Sequence, residues 1–191
     1  MNQDFWNLIK KGDDAAFSQL YNQYSDMLYG YGMKIIANDD LVCEAIQNLF
    51  VYIFEKRETL SCPDSLKAYL YSSLKRSLVR TISKKNSITS FASNRIDESR
   101  YDFKLTIDIE TALIQGEYKQ QYLTQLQESL DTLSPQQREV IYLKYYNACS
   151  NDEISEILGI NNQIVRNIAS IALKKIRENG NFKAICVPFI L

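Results

Sequence analysis

The side chains Gln163, Arg166, Asn167, Ser170, Lys174 and Arg177 recur three or four residues apart, with Asn162 just ahead of them. On a helix that spacing puts them on one face. Gln, Asn and Arg carry donors and acceptors that match base edges in the DNA major groove, while Lys174, Lys175 and Arg177 suit phosphate oxygens. Ile164, Val165, Ile168, Ile171, Ala172 and Ile176 are expected on the other side, turned into a core. Any solvated helix has a polar face, so the chemistry depends on what holds this one in place.

The preceding residues supply a frame. In Leu133-Ser134-Pro135-Gln136-Gln137, serine can cap a helix, proline sits at its first position, and glutamine falls three residues after the cap. That helix should run to about Tyr146, with Val140, Ile141 and Leu143 inward. Ser150-Asn151-Asp152-Glu153 is a second capping box, opening a short helix that must stop at Gly159. Asn161 can then cap the third helix, which should reach about Arg177. Two short helices joined by so tight a turn present a recognition helix to a major groove.

A second candidate surface lies earlier. Leu66, Leu70, Leu74, Leu78 and Ile82 recur every four residues, and Arg76, Arg80 and Lys84 fall almost opposite them, followed by Lys85. One face of such a helix packs and the other is a basic ridge suited to a single strand, with Tyr69 or Tyr71 placed to hold an unstacked base. The net charge is only −1, yet the charges are segregated. Ser65 to Ile96 and Ile157 to Arg177 contain no acid, whereas Asp97 to Asp131 is rich in Asp and Glu. Two basic surfaces joined by an acidic tether fit two modules on one polyanion.

Composition removes other classes. There is no histidine, which excludes the commonest general base and most catalytic zinc sites. Cys43, Cys62, Cys149 and Cys186 form no Cys-x-x-Cys pair and read as free thiols in a reducing compartment. No glycine-rich phosphate loop occurs, so neither an enzyme nor a cofactor or metal is expected. The longest apolar run, around Leu49 to Phe54, is too short to span a bilayer, and no secretory leader is evident, so a cytoplasmic location is expected.

The expected fold is all-α: two small helical modules joined by a flexible linker, the second a helix-turn-helix. Residues 1–86 should form four helices, Asp4 to Lys11, Asp13 to Ile36, Asn38 to Glu58, and one from beyond Pro63 to Lys85. Residues 87–118 read as the linker, although a helix from about Ile107 to Leu130 is expected to lead into the second module at 119–180. Residues 181–191 make an apolar tail, which either packs on its own module or docks an antagonist.

Several motifs, in order, resemble the extracytoplasmic-function sigma factors, small two-module members of the bacterial RNA polymerase sigma family. They are Ala16-Phe17 through Leu20-Tyr21 and Tyr24; Glu44-Ala45-Ile46-Gln47-Asn48-Leu49-Phe50; Ser65-Leu66-Lys67-Ala68-Tyr69-Leu70-Tyr71; and Leu133 to Val140 continuing through Glu153-Ile154 and Glu156 to Ile160. The resemblance implies that the first module grips core RNA polymerase and opens the minus-ten element of promoter DNA. The second would read the minus-thirty-five element, and an anti-sigma factor would be a partner. Glu44, Gln47, Asn48 and Phe50 match the family's core-contacting motif, with Asn48 where an acid is usual. Arg76 stands where relatives commonly have asparagine, and Asn167-Ile168 and Ile171 where many carry Ser-Arg and Arg, so promoter preference does not transfer. The alternative is a helix-turn-helix repressor or activator that needs only DNA. A helical adaptor would need neither DNA nor polymerase.

Overall fold

The computed structural model describes residues 3–86, 101–106 and 117–179. Most of the expected linker and the tail at 181–191 lie outside the described residues, and so does the side chain of Lys85. The chain divides into two compact units, Met1–Tyr101 with Glu156–Leu158, and Asp102–Ser155 with Gly159–Leu191. Among the described residues all regular structure is helical.

The first unit holds α1 (Gln3–Lys10), α2 (Asp14–Ile35), α3 (Asp39–Lys56) and α4 (Leu66–Asn86). The starts of α2, α3 and α4 have a local cause. Asp13 Oδ1 accepts from the Ala16 N–H at 2.8 Å, Asn38 Oδ1 from Leu41 at 2.9 Å and Ser65 Oγ from Ala68 at 3.2 Å, satisfying donors that a helix leaves open at its first turn. Helices α2, α3 and α4 pack on one another and α1 packs on α2. Their core is Leu20, Leu28 and Tyr31, Val42 and Ile53, and Leu66, Leu70, Leu74 and Leu78, all fully or almost fully buried. Burial of each stabilises the unit by about 1.5–3 kcal/mol.

Gly32 marks the closest approach in this core. A Cβ built there would lie 2.7 Å from Val42 Cγ1 and 3.4 Å from Leu78 Cδ1. Val42 is fully buried and β-branched, so it has little room to yield. Gly32→Ala is expected to cost up to about 2 kcal/mol in urea unfolding: an overpacking penalty of about 1–3 kcal/mol, less about 1 kcal/mol of helix propensity. In a Val42→Ala background the same change should become stabilising. A cost that persists there would place the strain elsewhere.

The second unit holds α5 (Glu117–Asp131), α6 (Pro135–Ile141), α7 (Asn151–Leu158, its last three residues grouped with the first unit) and α8 (Asn162–Asn179). Both expected capping boxes are present, Ser134 with Gln137 and Ser150 with Glu153. Where one helix was expected as far as Tyr146, α6 ends at Ile141 and Tyr142–Tyr146 widens into a π turn, with Tyr142 and Tyr146 stacked at 4.8 Å. Ala148 then takes a left-handed φ of 49°, and the Cys149 N–H returns to Leu143 O at 2.9 Å. Gly159, at φ 67°, supplies the left-handed C-cap of α7, and Asn161 Oδ1 accepts from the Gln163 N–H at 2.8 Å. Helix α8 packs on α5 and α6.

One segment departs from its expected role. Asp102 to Thr106 falls in the stretch assigned to the linker, yet Phe103 and Leu105 are buried, with the Phe103 ring 5.6 Å from that of Tyr142. Arg138 Nη2 donates to Asp102 Oδ1 at 2.5 Å and Gln127 Nε2 to Leu105 O at 3.2 Å. These five residues are a strap on α5 and the α6 end of the unit, not free tether.

Candidate nucleic-acid interface

Helix α8 turns its inward side through Val165, Ala169, Ala172 and Ile176, all buried. Gln163, Arg166, Asn167, Ser170, Lys174 and Arg177 are exposed, as their spacing predicts. Gln163 Nε2 donates to Asn167 Oδ1 at 3.1 Å, so these two amides stand as a joined pair. Lys174 lies 3.8 Å from Glu178 with both side chains in solvent, a pairing too weak to withhold it from a phosphate.

Three expectations on this helix change. Asn162 is half-buried and its amide donates to Asp152 Oδ1, so it braces the start of α8 against α7. Lys175 donates to Gln137 Oε1 at 3.3 Å and ties α8 to the capping box of α6. Ile164 and Ile171, expected in the core, are 46 % and 50 % exposed. The small residue Ala169 takes the packed position beside Val165 and Ala172, which rotates the inward side away from both isoleucines.

In the first unit, α4 keeps Arg76, Arg80 and Lys84 exposed along the side away from its buried leucines. Arg76 is held to its own helix: Nε donates to Ser72 O at 3.1 Å and Nη2 to Ser72 Oγ at 3.2 Å. Of the two tyrosines, Tyr71 is fully buried against Tyr31, ring centroids 5.0 Å apart, and cannot receive a base. Tyr69 is half-buried. Its hydroxyl pKa is raised, chiefly by burial and then by the nearby Tyr52, so it stays a neutral donor. Lys75, beside the ridge in sequence, adds nothing to it: it is buried with its ammonium 5.4 Å from the Tyr101 ring.

On α3, Glu44, Gln47 and Asn48 are exposed on one stripe. Phe50 is only 3 % exposed, packed edge-on to Phe17 and Tyr21 at 6.2 and 4.9 Å. It orients α3 from beneath and offers no surface of its own.

Residues 123–176, from α5 through α8, match the family Sigma-70, region 4. Along most of its length the chain is 24 % identical to the RNA polymerase sigma factor SigV of Bacillus subtilis (strain 168), over 168 residues covering 88 % of this chain and 93 % of that one. It is 25 % identical to the protein named bacteriocin UviA of Clostridium perfringens, over 187 residues covering 90 % and 95 %. The chain thus carries a Sigma-70 region 4 segment and is similar along most of its length to a sigma factor. In fold the chain is similar to CnrH, solved in complex with the cytosolic domain of CnrY, with a TM-score of 0.57 at 15 % identity over 94 % of this chain and 97 % of that one. It is also similar to RpoE from Bartonella quintana, solved with the anti-sigma factor NepR, with a TM-score of 0.54 at 16 % identity over 88 % and 98 %.

Sequence reasoning missed part of the exposed α3 surface. Val51 and Tyr52, 53 % and 49 % exposed, extend the Gln47 and Asn48 stripe by one turn. Their spacing of three and four residues from Asn48 was the available signal, obscured because apolar residues are assigned inward by default. Among the described residues no helix is long and apolar enough to cross a membrane, and no cluster of potential metal ligands occurs.

Proposed function

We propose that the chain is a sigma factor of the extracytoplasmic-function type, which binds core RNA polymerase through the Glu44, Gln47, Asn48, Val51 and Tyr52 face of α3 and directs it to promoters with α4 and α8. The reading rests on one observation above the rest: the outward side of α8 carries Gln163, Arg166, Asn167, Ser170 and Lys174 and no acid from Ile157 to Arg177, in a capped helix-turn-helix inside the Sigma-70 region 4 match. Gln, Asn and Arg there address base edges of the minus-thirty-five element, and Lys174 and Arg177 its phosphates. On α4, Arg76, Arg80 and Lys84 track the opened strand of the minus-ten element, with Tyr69 beside them. The protein works as a polymerase subunit in the cytoplasm, has no catalytic residues of its own, and is held in check by an anti-sigma factor, as the solved complex of the RpoE relative suggests.

Transcription in vitro with core polymerase on genomic DNA, with start sites mapped, tests this directly. Initiation at defined sites only when the chain is added is expected; DNA binding without any effect on polymerase would instead make it a repressor or activator. The core contact has its own test. Gln47→Ala with Asn48→Ala removes polar contacts worth about 1 kcal/mol each and should weaken capture of core polymerase about thirtyfold. Both residues are exposed, so the unit should remain folded. Undiminished capture would remove α3 from the interface.

A further inference from the structure

Ile164 and Ile171 lie seven residues apart, which on an α-helix is about 10 Å along the axis and within about 20° of the same direction. Both are exposed, on the flank of Asn167 opposite Gln163 and Ser170. Packing does not require them, because Val165, Ala169, Ala172 and Ile176 already make the buried side of α8. They form an apolar stripe inside an acid-free, cationic face, bordered by amide side chains.

We propose that Ile164 and Ile171 are specificity-determining residues that seat the C5-methyl groups of thymines in the major groove of the upstream promoter element. The inference rests on the reading of α8 as the helix that enters that groove. The basic surroundings select the occupant: a polyanion approaches this face favourably, and the thymine methyl is the apolar group that duplex DNA displays in the major groove. The joined amides point to the same base pair. With Gln163 donating to Asn167 Oδ1, the Gln163 carbonyl and the Asn167 NH2 present one acceptor and one donor. Adenine offers the complementary N6 donor and N7 acceptor, and its partner is thymine. The face is thereby matched to A·T pairs, with hydrogen bonds to one base and apolar contact to the other.

The test uses the full chain assembled with core polymerase. A duplex library randomised across the upstream element is selected for binding, and the selected duplex is resynthesised with deoxyuridine in place of single thymines, which deletes the methyl and keeps the pairing. The wild-type protein should lose about fourfold in affinity for each methyl that is seated, the factor expected for burial of one methylene-sized group. Ile164→Ala and Ile171→Ala should each bind the thymine duplex about fourfold more weakly and become indifferent to deoxyuridine at one position. Ile164→Val and Ile171→Val, which keep a branched apolar surface, should retain the dependence. A selected element without thymine, or a methyl dependence that survives both alanine substitutions, would overturn the inference while leaving promoter recognition by α8 intact. Selection of no element by the wild-type protein would overturn the underlying reading, and this inference with it.

Discussion

Phe103→Ala is expected to remove about 3–5 kcal/mol from the stability of the C-terminal unit, the usual cost of deleting a buried aromatic side chain. The residue sits in a stretch whose acidic, aperiodic sequence reads as tether, and a tether substitution would cost within about 0.5 kcal/mol. In the structure Phe103 is fully buried against Tyr142, and the Asp102–Arg138 ion pair and the Gln127 bond to Leu105 O hold the strap on either side of it. Domains of this size are stable by about 5–15 kcal/mol, so a loss of that order should leave the unit partly unfolded at moderate temperature. Urea unfolding followed by far-ultraviolet circular dichroism reads the effect. Trp6, the one tryptophan of the chain, is buried in the first unit and reports that unit separately by fluorescence. A change below 1 kcal/mol would return residues 102–106 to the linker.

Arg76→Ala with Arg80→Ala should impair strand opening far more than initial promoter binding. Each charge-assisted contact to phosphate contributes about 1.5–3 kcal/mol, so the pair should lower the open-complex equilibrium by at least about a hundredfold. Two fewer phosphates neutralised on a single strand should also make the salt dependence shallower by about 1.4 in log–log slope. Both side chains are exposed, and Arg76 is already oriented along α4 by Ser72, so little ordering is needed when a strand arrives. Permanganate reactivity of unpaired thymines measures opening, and gel retardation at low temperature measures the closed complex. Normal reactivity at low and moderate salt would reduce the ridge to a solvated face.

What could be read from sequence was local. Ser134, Ser150, Gly159 and Asn161 announced helix ends correctly because capping is decided within four residues of chain, and the same holds for Asp13 and Asn38 in the first unit. The four-residue repeat of Leu66 to Leu78 gave the buried side of α4 for a similar reason. Errors arose where a partner distant in sequence decides. Nothing near Phe103 announces Tyr142, thirty-nine positions later. Lys75 looks like any surface lysine until Tyr101 is placed over it. On α8 the period was right and its phase was turned slightly: Val165, Ala172 and Ile176 lie inside as expected, but isoleucines outweigh alanines in any hydrophobic count, whereas close packing on α5 and α6 places Ala169 inside and leaves Ile164 and Ile171 outside. For the candidate sites, Arg76, Arg80, Lys84, Gln163, Arg166, Asn167 and Ser170 were legible as exposed residues, while Phe50, Tyr71 and Asn162 required the fold.

The alanine-rich inner side of α8 has an evolutionary consequence. Val165, Ala169, Ala172 and Ile176 anchor the helix, and the residues that face outward share no position with them. Substitutions at exposed sites usually change stability by within about 0.5 kcal/mol. Positions 163, 164, 166, 167, 170 and 171 can therefore drift almost without penalty to folding. A duplicated copy of this chain could acquire a new set of target genes through such changes alone, never passing through an unstable intermediate.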